Sequence, residues 1–496
     1  IQNVLHFVCM PKTILKTLID ATPANAELYY YIGENYFRTE DDDSAAYYFK
    51  KGTEANALSP YCFVGLGEIA LLNKDTASAK KNFQTAATMN KGKDFKTYLL
   101  IGQAYTRSNE SRDLTAAATY LAKAKTLEPK NAELFLALGD IALEQANGTE
   151  AAKNYEQALT INSKNPKPFV RQGQIYKRAL NFEVSLDYFN KALAVDPNYP
   201  PAFRELGELY FKANKFDKAI ENYKRYVEST DNSISTQVRY ASFLFLNKDY
   251  KQTISIINDV LSKDTTKLLV YRLLGYSSYE TKDYPRALQG MNTFFLKADA
   301  KRLIPSDYAY LGKAQIKNKL DSVGILNIKK GIELDTTNLD LYNDLADAYY
   351  QAKRFAESAA TLEGKMLKKK LNAVESFNYG RALYFAKDFV KADTAFSALT
   401  RLQPTFPTAY LYRGRINVNF DTDNQKGLAK PFYDKVIELE GADVVKNKKD
   451  LVEAYSYLGD YFFQQKDTVQ SKASWQKVLE IDPENKQAAA VLKQLK

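Results

Sequence analysis

The stretch NYPPAFRELGELYFKANKFDKAIENYKRYVES, residues 198–229, has the apolar spacing of two amphipathic helices joined by a turn. Gly207 stands inside the first helix, where glycine costs about 1 kcal/mol relative to alanine. A glycine is favoured there when two helices cross closely, because only a small residue leaves room for the neighbour. We therefore expect Gly207 to face Ala219 on the second helix, with Phe203 and Tyr223 filling the flanking spaces.

Small residues recur along the chain at the position of Gly207. Most of them are 34 residues apart, and the exceptions of 35, 37, 37 and 45 residues are placed in loops or at helix ends. A fixed period in this range indicates a helical solenoid. The series is Gly33, Gly67, Gly102, Gly139, Gly173, Gly207, Ala241, Gly275, Gly312, Ala346, Gly380, Gly414 and Gly459.

Companion residues recur with the same period. A large ring usually precedes the small residue by three or four positions, and Leu or Ile comes just before it. A second small residue follows twelve positions later, and an aromatic residue four positions after that. This arrangement resembles the tetratricopeptide repeat, a 34-residue helix–turn–helix. The resemblance implies an all-α, right-handed superhelical solenoid of about thirteen repeats with a C-terminal capping helix.

The repeats are expected to form one array, because each repeat of a solenoid contacts only its neighbours. Polar insertions at 419–428 and 441–450 make the twelfth repeat irregular. The predicted segments are the end of a preceding helical repeat at 1–25, repeats 1–8 at 26–297, repeats 9–11 with the first helix of repeat 12 at 298–418, the irregular repeat 12 and repeat 13 at 419–483, and the capping helix at 484–496.

Residues that carry chemistry are scarce. The sequence has one histidine, His6, and two cysteines, Cys9 and Cys62, which are too few for a metal cluster. No Ser–His–Asp arrangement and no GxxxxGK[ST] phosphate loop can be found. The sequence also lacks a run of 18 apolar residues. We therefore expect no enzyme activity, no catalytic residue, no cofactor, no metal and no transmembrane segment.

The charge balance is basic but evenly distributed. The net charge is +10, with 69 basic and 59 acidic residues interleaved along the chain. A basic protein is a candidate for nucleic-acid binding, but interleaved charges make that partner less favoured than a protein. The tyrosine-rich composition, with 36 Tyr and one Trp, resembles repeat proteins of the Bacteroidota. We expect a periplasmic location, with the cytoplasm as the alternative.

The family resemblance implies a scaffold or adaptor that binds a peptide or protein segment in the concave groove. One family variant binds two carboxylates with Lys and Asn on one repeat, Asn on the next, and Lys and Arg on the third. Lys167 and Arg171 match the third repeat of that clamp, but Leu99, Gln103 and Ala137 stand where it needs Lys and Asn. The alternative function is a structural subunit of a larger cell-envelope assembly that contacts partners through its ends and convex face.

Groove positions are expected about two residues before the small residue, one after it, and four or five after it. Rings beside basic residues, opposed by Glu208 and Glu280, favour an extended peptide with acidic and apolar residues, whereas Glu27, Glu34, Glu133, Asp140 and Glu144 should repel it. The other interpretation is that the rings pack against the next repeat and the arginines keep the surface soluble. The predicted site residues are Arg204, Phe211, Lys212, Phe245, Arg272, Tyr276 and Tyr279 in repeats 6–8, and Phe377, Arg381, Tyr384, Phe385 and Arg415 in repeats 11 and 12.

Overall fold

The computed structural model describes residues 12–230 and 233–495, so His6 and Cys9 lie outside the described residues. The described residues form twenty-eight α-helices and two short 3₁₀ helices, and they contain no β-strand. Consecutive helices pack as thirteen pairs, preceded by one helix and followed by another. The predicted all-α solenoid is confirmed. None of the described helices has the length and apolar character that crossing a bilayer requires.

The chain forms two compact units, residues 1–273 and 274–496, which are called unit 1 and unit 2 below. In unit 1, α1 precedes the first pair, and the pairs run from α2 and α3 to α14 and α15. The helices are α1 Lys12–Ala21, α2 Ala26–Arg38, α3 Asp42–Ala55, α4 Pro60–Leu72, α5 Thr76–Thr88, α6 Phe95–Arg107, α7 Leu114–Leu127, α8 Ala132–Glu144, α9 Gly148–Ile161, α10 Lys167–Arg178, α11 Phe182–Val195, α12 Pro200–Lys212, α13 Phe216–Glu228, α14 Ile234–Leu246 and α15 Tyr250–Lys263.

The division between the units falls after Leu273, inside α16, Leu268–Glu280. In unit 2 the pairs run to α26 and α27, and α28 follows them. The remaining helices are α17 Tyr284–Lys297, α18 Pro305–Lys317, α19 Asp321–Leu334, α20 Asp340–Gln351, α21 Phe355–Met366, α22 Ala373–Phe385, α23 Phe389–Leu402, α24 Pro407–Phe420, α25 Lys430–Glu440, α26 Lys448–Gln464, α27 Thr468–Ile481 and α28 Lys486–Gln494.

In many pairs, a fully buried ring on the second helix lies over the glycine of the first. A Cβ placed on Gly207 would lie 2.9 Å from Tyr223 Cδ2 and 3.2 Å from the backbone oxygen of Ala219. Ala219 therefore faces Gly207 as predicted, but Tyr223 is the nearer neighbour rather than a flanking residue. Other glycines and rings with the same sixteen-residue spacing are Gly33 and Phe49, Gly67 and Phe83, Gly139 and Tyr155, Gly173 and Phe189, Gly380 and Phe396, and Gly459 and Trp475.

The turn inside most pairs contains one residue with a left-handed backbone, seven positions after the small residue. Lysine is its commonest occupant, as at Lys74, although glycine adopts this conformation at lower cost. The next residue is often an aspartate that caps the second helix, as Asp75 does by accepting a 2.9 Å hydrogen bond from the Ser78 backbone N–H. The left-handed residues are Glu40, Lys74, Ala146, Leu180, Asn214, Lys248, Lys282, Lys319, Lys353, Lys387 and Lys466.

The insertion after α24 is an ordered loop. The buried Asp421 carboxylate accepts hydrogen bonds from the backbone N–H groups of Gln425 (3.2 Å), Lys426 (3.1 Å) and Leu428 (3.3 Å). Burial alone would favour the neutral acid, but the backbone N–H groups of Lys426, Leu428 and Gly427 lower the pKa of Asp421. The Asp421 carboxylate thus takes the place of the carbonyl oxygens that would accept from these backbone N–H groups in a helix.

Two glycines on neighbouring helices of unit 2 test the role of the ring. Gly380→Ala should destabilise the fold by about 1–3 kcal/mol, because its Cβ would lie 2.8 Å from Phe396 Cζ in a closed core. Gly364→Ala should stabilise it by up to about 1 kcal/mol, because a Cβ there meets no atom within 4 Å and alanine favours the helix. Urea unfolding followed by circular dichroism measures both changes. Equal midpoints for the two variants would contradict this account of the glycine.

Candidate functional site: the first-helix layers

In each unit, the first helices of neighbouring pairs pack on one another, as α4 does on α6 and α18 does on α20. These helices form a layer, called the first-helix layer below. Charged residues two positions before the small residue pair with residues one position after the small residue of an adjacent repeat. Such pairs are Arg171 with Asp140 (Nη2–Oδ2 3.0 Å), Arg239 with Glu208 (Nε–Oε1 2.8 Å) and Lys313 with Asp344 (3.4 Å).

The predicted site residues of unit 1 are largely engaged within the protein. The Arg204 guanidinium pairs with Glu205 at 2.9 Å. Burial alone would raise the pKa of Glu205, but Arg204 and Lys177 lower it to about 2. Phe211 stacks on Phe243 with ring centroids 4.5 Å apart. Of the remaining residues, Phe245 and Arg272 are partly buried, and Lys212 is exposed.

In unit 2, Tyr276 and Tyr279 surround Tyr310 on the next first helix. Tyr276 is buried, stacks on Tyr310 with centroids 3.9 Å apart, and donates a 2.7 Å hydrogen bond to Asp307 Oδ1. The Tyr279 ring lies edge-on to Tyr310 at 5.7 Å. Asp307 is therefore a further acidic residue of this layer, in addition to the two glutamates that the sequence suggested.

The predicted residues of repeats 11 and 12 divide into three groups. Phe377 packs in the core against Phe396 and Phe406, with centroid distances of 6.0 and 5.4 Å, so we leave it out of the site. Arg415 makes a bidentate pair with Glu453, at 2.7 and 2.6 Å. Arg381, Tyr384 and Phe385 remain; Tyr384 is partly buried against Tyr412, and Phe385 is 43% exposed.

Four of the five acids that were expected to repel an acidic ligand are paired. The partners lie on the next first helix or the one after it, so these carboxylates do not present an uncompensated negative surface. Glu27 instead accepts a 3.4 Å hydrogen bond from the Tyr31 hydroxyl. The pairs are Glu34 with Arg107 (3.3 Å), Glu133 with Lys167 (3.0 Å), Asp140 with Arg171 (3.0 Å) and Glu144 with Arg178 (2.7 Å).

A cavity of about 230 Å³ opens between the first helices α20 and α22 of unit 2, and it is called the α20–α22 cavity below. Arg381 donates from Nη2 to the Tyr350 hydroxyl at 2.7 Å, and its guanidinium carbon lies 4.7 Å from the Tyr350 ring centroid. The Nε atom of Arg381 is buried and has no hydrogen-bond partner. The lining residues are Asn343, Ala346, Asp347, Tyr350, Gln351, Ser358, Leu362, Glu375, Asn378 and Arg381.

A buried ion pair closes one side of this cavity. Lys365, on the second helix α21, donates to Glu375 Oε1 at 2.6 Å and to Asn343 Oδ1 at 2.9 Å. Its side chain is only 4% exposed, so its charge is satisfied inside the protein. Of the polar residues that line the cavity, the repeat pattern predicted Arg381 but not Asn343, Asp347 or the others. Their signal was an unusual run of polar side chains on α20 at helical spacing.

A second charged cluster lies in unit 1, where Glu34 and Glu68 share Arg107. Both carboxylates are 3% exposed, and Arg107 donates to Glu68 through Nε and Nη2. Burial raises the pKa of Glu68 to about 7; Arg107 opposes this effect and the Glu34 carboxylate adds to it. No group of three or more His, Cys, Asp or Glu residues suited to a metal ion occurs among residues 12–230 and 233–495.

Comparisons with known proteins agree with the repeat pattern. A profile of the tetratricopeptide repeat matches residues 99–166 and 170–234. The C-terminal part of a TPR repeat-containing protein from Cytophaga hutchinsonii is 32% identical to the chain; the match covers 51% of this chain and 99% of that one, with a TM-score of 0.48. A tetratricopeptide repeat protein from Parabacteroides merdae is 19% identical over 51% of this chain and 98% of its own, with a TM-score of 0.32.

The match to the APC/C hetero-tetramer Cut9–Hcn1 extends further along the chain. It covers 97% of this chain and 98% of that one, at 12% identity and a TM-score of 0.34. No curated protein matches the sequence.

The Glu68 cluster predicts a pH dependence of stability. A carboxyl whose folded pKa is raised stabilises the fold fully below its unfolded pKa near 4.5 and loses that contribution as the pH rises through about 7. The midpoint of urea unfolding should therefore fall between pH 5 and pH 8, by a contribution of about 1–3 kcal/mol. Glu68→Gln should remove most of this slope, whereas Glu54→Gln, at a half-exposed carboxylate, should keep it. A slope unchanged by Glu68→Gln would show that this carboxyl does not titrate as described.

Proposed function

The chain belongs to the tetratricopeptide repeat family, and from that premise we propose that it is a non-catalytic scaffold that binds an extended segment of a protein partner. We assign the binding surface to the first-helix layer of unit 2, around the α20–α22 cavity. The observation that carries this proposal is the cavity itself, because it interrupts a layer in which many charges are paired across repeats. A periplasmic location, as expected from the composition, is part of the same proposal.

The chemistry of the cavity suits a polypeptide. The side-chain amide of Asn378 offers a donor group and an acceptor group, which is what a peptide backbone requires. The amide of Asn343 already donates to Glu375 and accepts from Lys365. The volume of about 230 Å³ exceeds that of the roughly 150 Å³ cavity that can hold a benzene molecule, so the cavity has room for one amino-acid side chain. The exposed Phe385 ring lies 5.9 Å from Tyr350 at the cavity and offers an apolar contact beside it.

Unit 1 is the less favoured place for the partner. There, the predicted basic residue Arg204 already pairs with a buried glutamate, and Phe211 is stacked on its neighbour. A ligand would have to break these contacts before making its own, and leaving a buried charge unpaired is costly. Lys212 and Phe245 of that set stay predictions for an extension of the binding surface.

A second candidate function is a structural subunit that binds through its outer face. One observation favours it: an apolar groove of about 270 Å³ is lined by Ile332 of α19, by Tyr342 and Leu345 of α20, and by Gly364 of α21. Gly364 leaves this groove open, since no atom lies within 4 Å of the Cβ position. The two candidate functions share helices α20 and α21 of repeat 10, but the cavity extends to α22 of repeat 11 and the groove extends to α19 of repeat 9.

Two substitutions in unit 2 distinguish these surfaces. Asn378→Leu replaces an exposed cavity residue and should weaken partner binding by about tenfold or more, because it removes an amide and narrows the cavity. Gly364→Leu fills the outer groove and should leave binding unchanged. The partner is first identified by affinity purification from the native organism with mass spectrometry, and its dissociation constant for each variant is then measured.

If Gly364→Leu weakens binding and Asn378→Leu does not, the partner binds at the outer groove and not at the cavity. Equal binding by both variants would place the partner on neither surface, and the proposal would then fail. Asn378 is exposed, and a Cβ at the partly buried Gly364 meets no atom within 4 Å, so urea unfolding should show that the two variants are folded alike.

A further inference from the structure

We propose that the α20–α22 cavity binds a carboxylate of the partner segment, which pairs with Arg381. This inference rests on the proposed function and names the chemical group that the site recognises. It starts from the side chain itself: Arg381 lines the cavity, its Nε is buried without a partner, and its one hydrogen bond goes to the neutral Tyr350 hydroxyl. A guanidinium is permanently charged, and its fork of N–H donors matches the two oxygens of a carboxylate.

Other arginines on first helices show what such a side chain does in this protein. Several of them present Nε and Nη2 together to one carboxylate of another repeat. Arg381 makes no ion pair with any carboxylate of the described residues. Examples of such bidentate pairs are Arg107 with Glu68, Arg239 with Glu208, Arg413 with Asp393, and Arg415 with Glu453.

The repeat pattern explains why Arg381 lacks an internal partner. Arg381 and Arg415 occupy the same position, one residue after the small residue of repeats 11 and 12. The partner of Arg415 is Glu453, six residues before the small residue of the following repeat. The corresponding residue for Arg381 is Thr408, which has no charge. Repeat 11 therefore has the arginine at this position, but the following repeat has no carboxylate to pair with it.

The other charges around the cavity leave room for a ligand carboxylate. Glu375 is neutralised by Lys365 at 2.6 Å. Asp347 accepts a hydrogen bond from the Gln351 amide and makes no ion pair among the described residues. An incoming carboxylate would thus meet one cation, Arg381, and one anion, Asp347. We expect the carboxylate to lie at Arg381 and a backbone N–H of the same segment to lie at Asp347, because a carboxylate oxygen is an acceptor.

The binding geometry differs from the two-carboxylate clamp. That clamp places its basic residues before the small residue, at the positions of Lys167 and Arg171. Arg381 comes after the small residue, and its guanidinium carbon lies 4.7 Å from the Tyr350 ring centroid and 5.4 Å from the Phe377 ring centroid. These two contacts restrict the guanidinium, so a single carboxylate would meet a side chain that is already positioned.

The test uses the whole protein and a random dodecapeptide library displayed on phage, once with the peptides internal and once with free C-termini. The consensus peptide is synthesised with its acidic residue, with the matching amide residue, and with either a C-terminal acid or a C-terminal amide. Binding is measured by fluorescence anisotropy on the parent protein, on Arg381→Gln and on Arg401→Gln. The last variant removes one positive charge from an exposed residue of α23.

The parent protein and Arg401→Gln should bind the carboxylate form about tenfold more tightly than the amide form, equal to about 1.4 kcal/mol. Arg381→Gln should bind the two forms equally. A difference between the peptides with the acidic and the amide residue identifies a side-chain carboxylate. A difference between the C-terminal acid and the C-terminal amide identifies a C-terminal carboxylate. The comparison on the parent protein requires no variant, so it remains valid if Arg381→Gln is unstable.

Two failures can be told apart. Peptides that bind the parent protein with no preference for the carboxylate, or with a preference that survives in Arg381→Gln, would overturn this inference and leave the proposed function standing. A library that yields no binding peptide in either format would overturn both.

Discussion

The contact between a buried ring and a helical glycine determines the rest of this structure. In each such pair, the ring comes sixteen residues after the glycine, as Phe49 follows Gly33 and Trp475 follows Gly459. It fills the space that a side chain on the first helix would take, and the large apolar area that it buries outweighs the roughly 1 kcal/mol cost of the glycine. Because the ring and the glycine meet at one point, the two helices of a pair have one register. The 34-residue period of the chain is the period of this contact.

That contact also decides where the charged residues of the first helices lie. One side of the first helix is closed by the ring, so residues one position after the glycine and two before it lie beside the neighbouring repeat. Their charges pair there, as Asp140 does with Arg171 and Glu208 does with Arg239. The first-helix layer is therefore held together by ion pairs between repeats, and a free charge in it is an exception. Arg381 is such an exception in unit 2.

The fold could be predicted because its determinants lie within one repeat. The glycine and the ring both lie within one 34-residue repeat, and their recurrence gives the period. The same pattern correctly predicts that Ala219 faces Gly207. The dominant role of Tyr223 was missed, because helical spacing shows which face of the helix a residue lies on but not which atoms of the facing helix its side chain contacts. The left-handed turn residue was missed for another reason: lysine, as at Lys282, is not a residue whose type signals that conformation.

The candidate site was harder to predict, because its determinants lie in two repeats at once. The single-repeat pattern places Arg381 and Arg415 on the same face and gives them the same role. Only the counterpart in the following repeat, Glu453 in one case and Thr408 in the other, separates the paired Arg415 from the unpaired Arg381. Groove residues in a solenoid should therefore be chosen by comparing each charge with its counterpart one repeat away. By that criterion, the charge to examine is the one that has no oppositely charged counterpart in the next repeat.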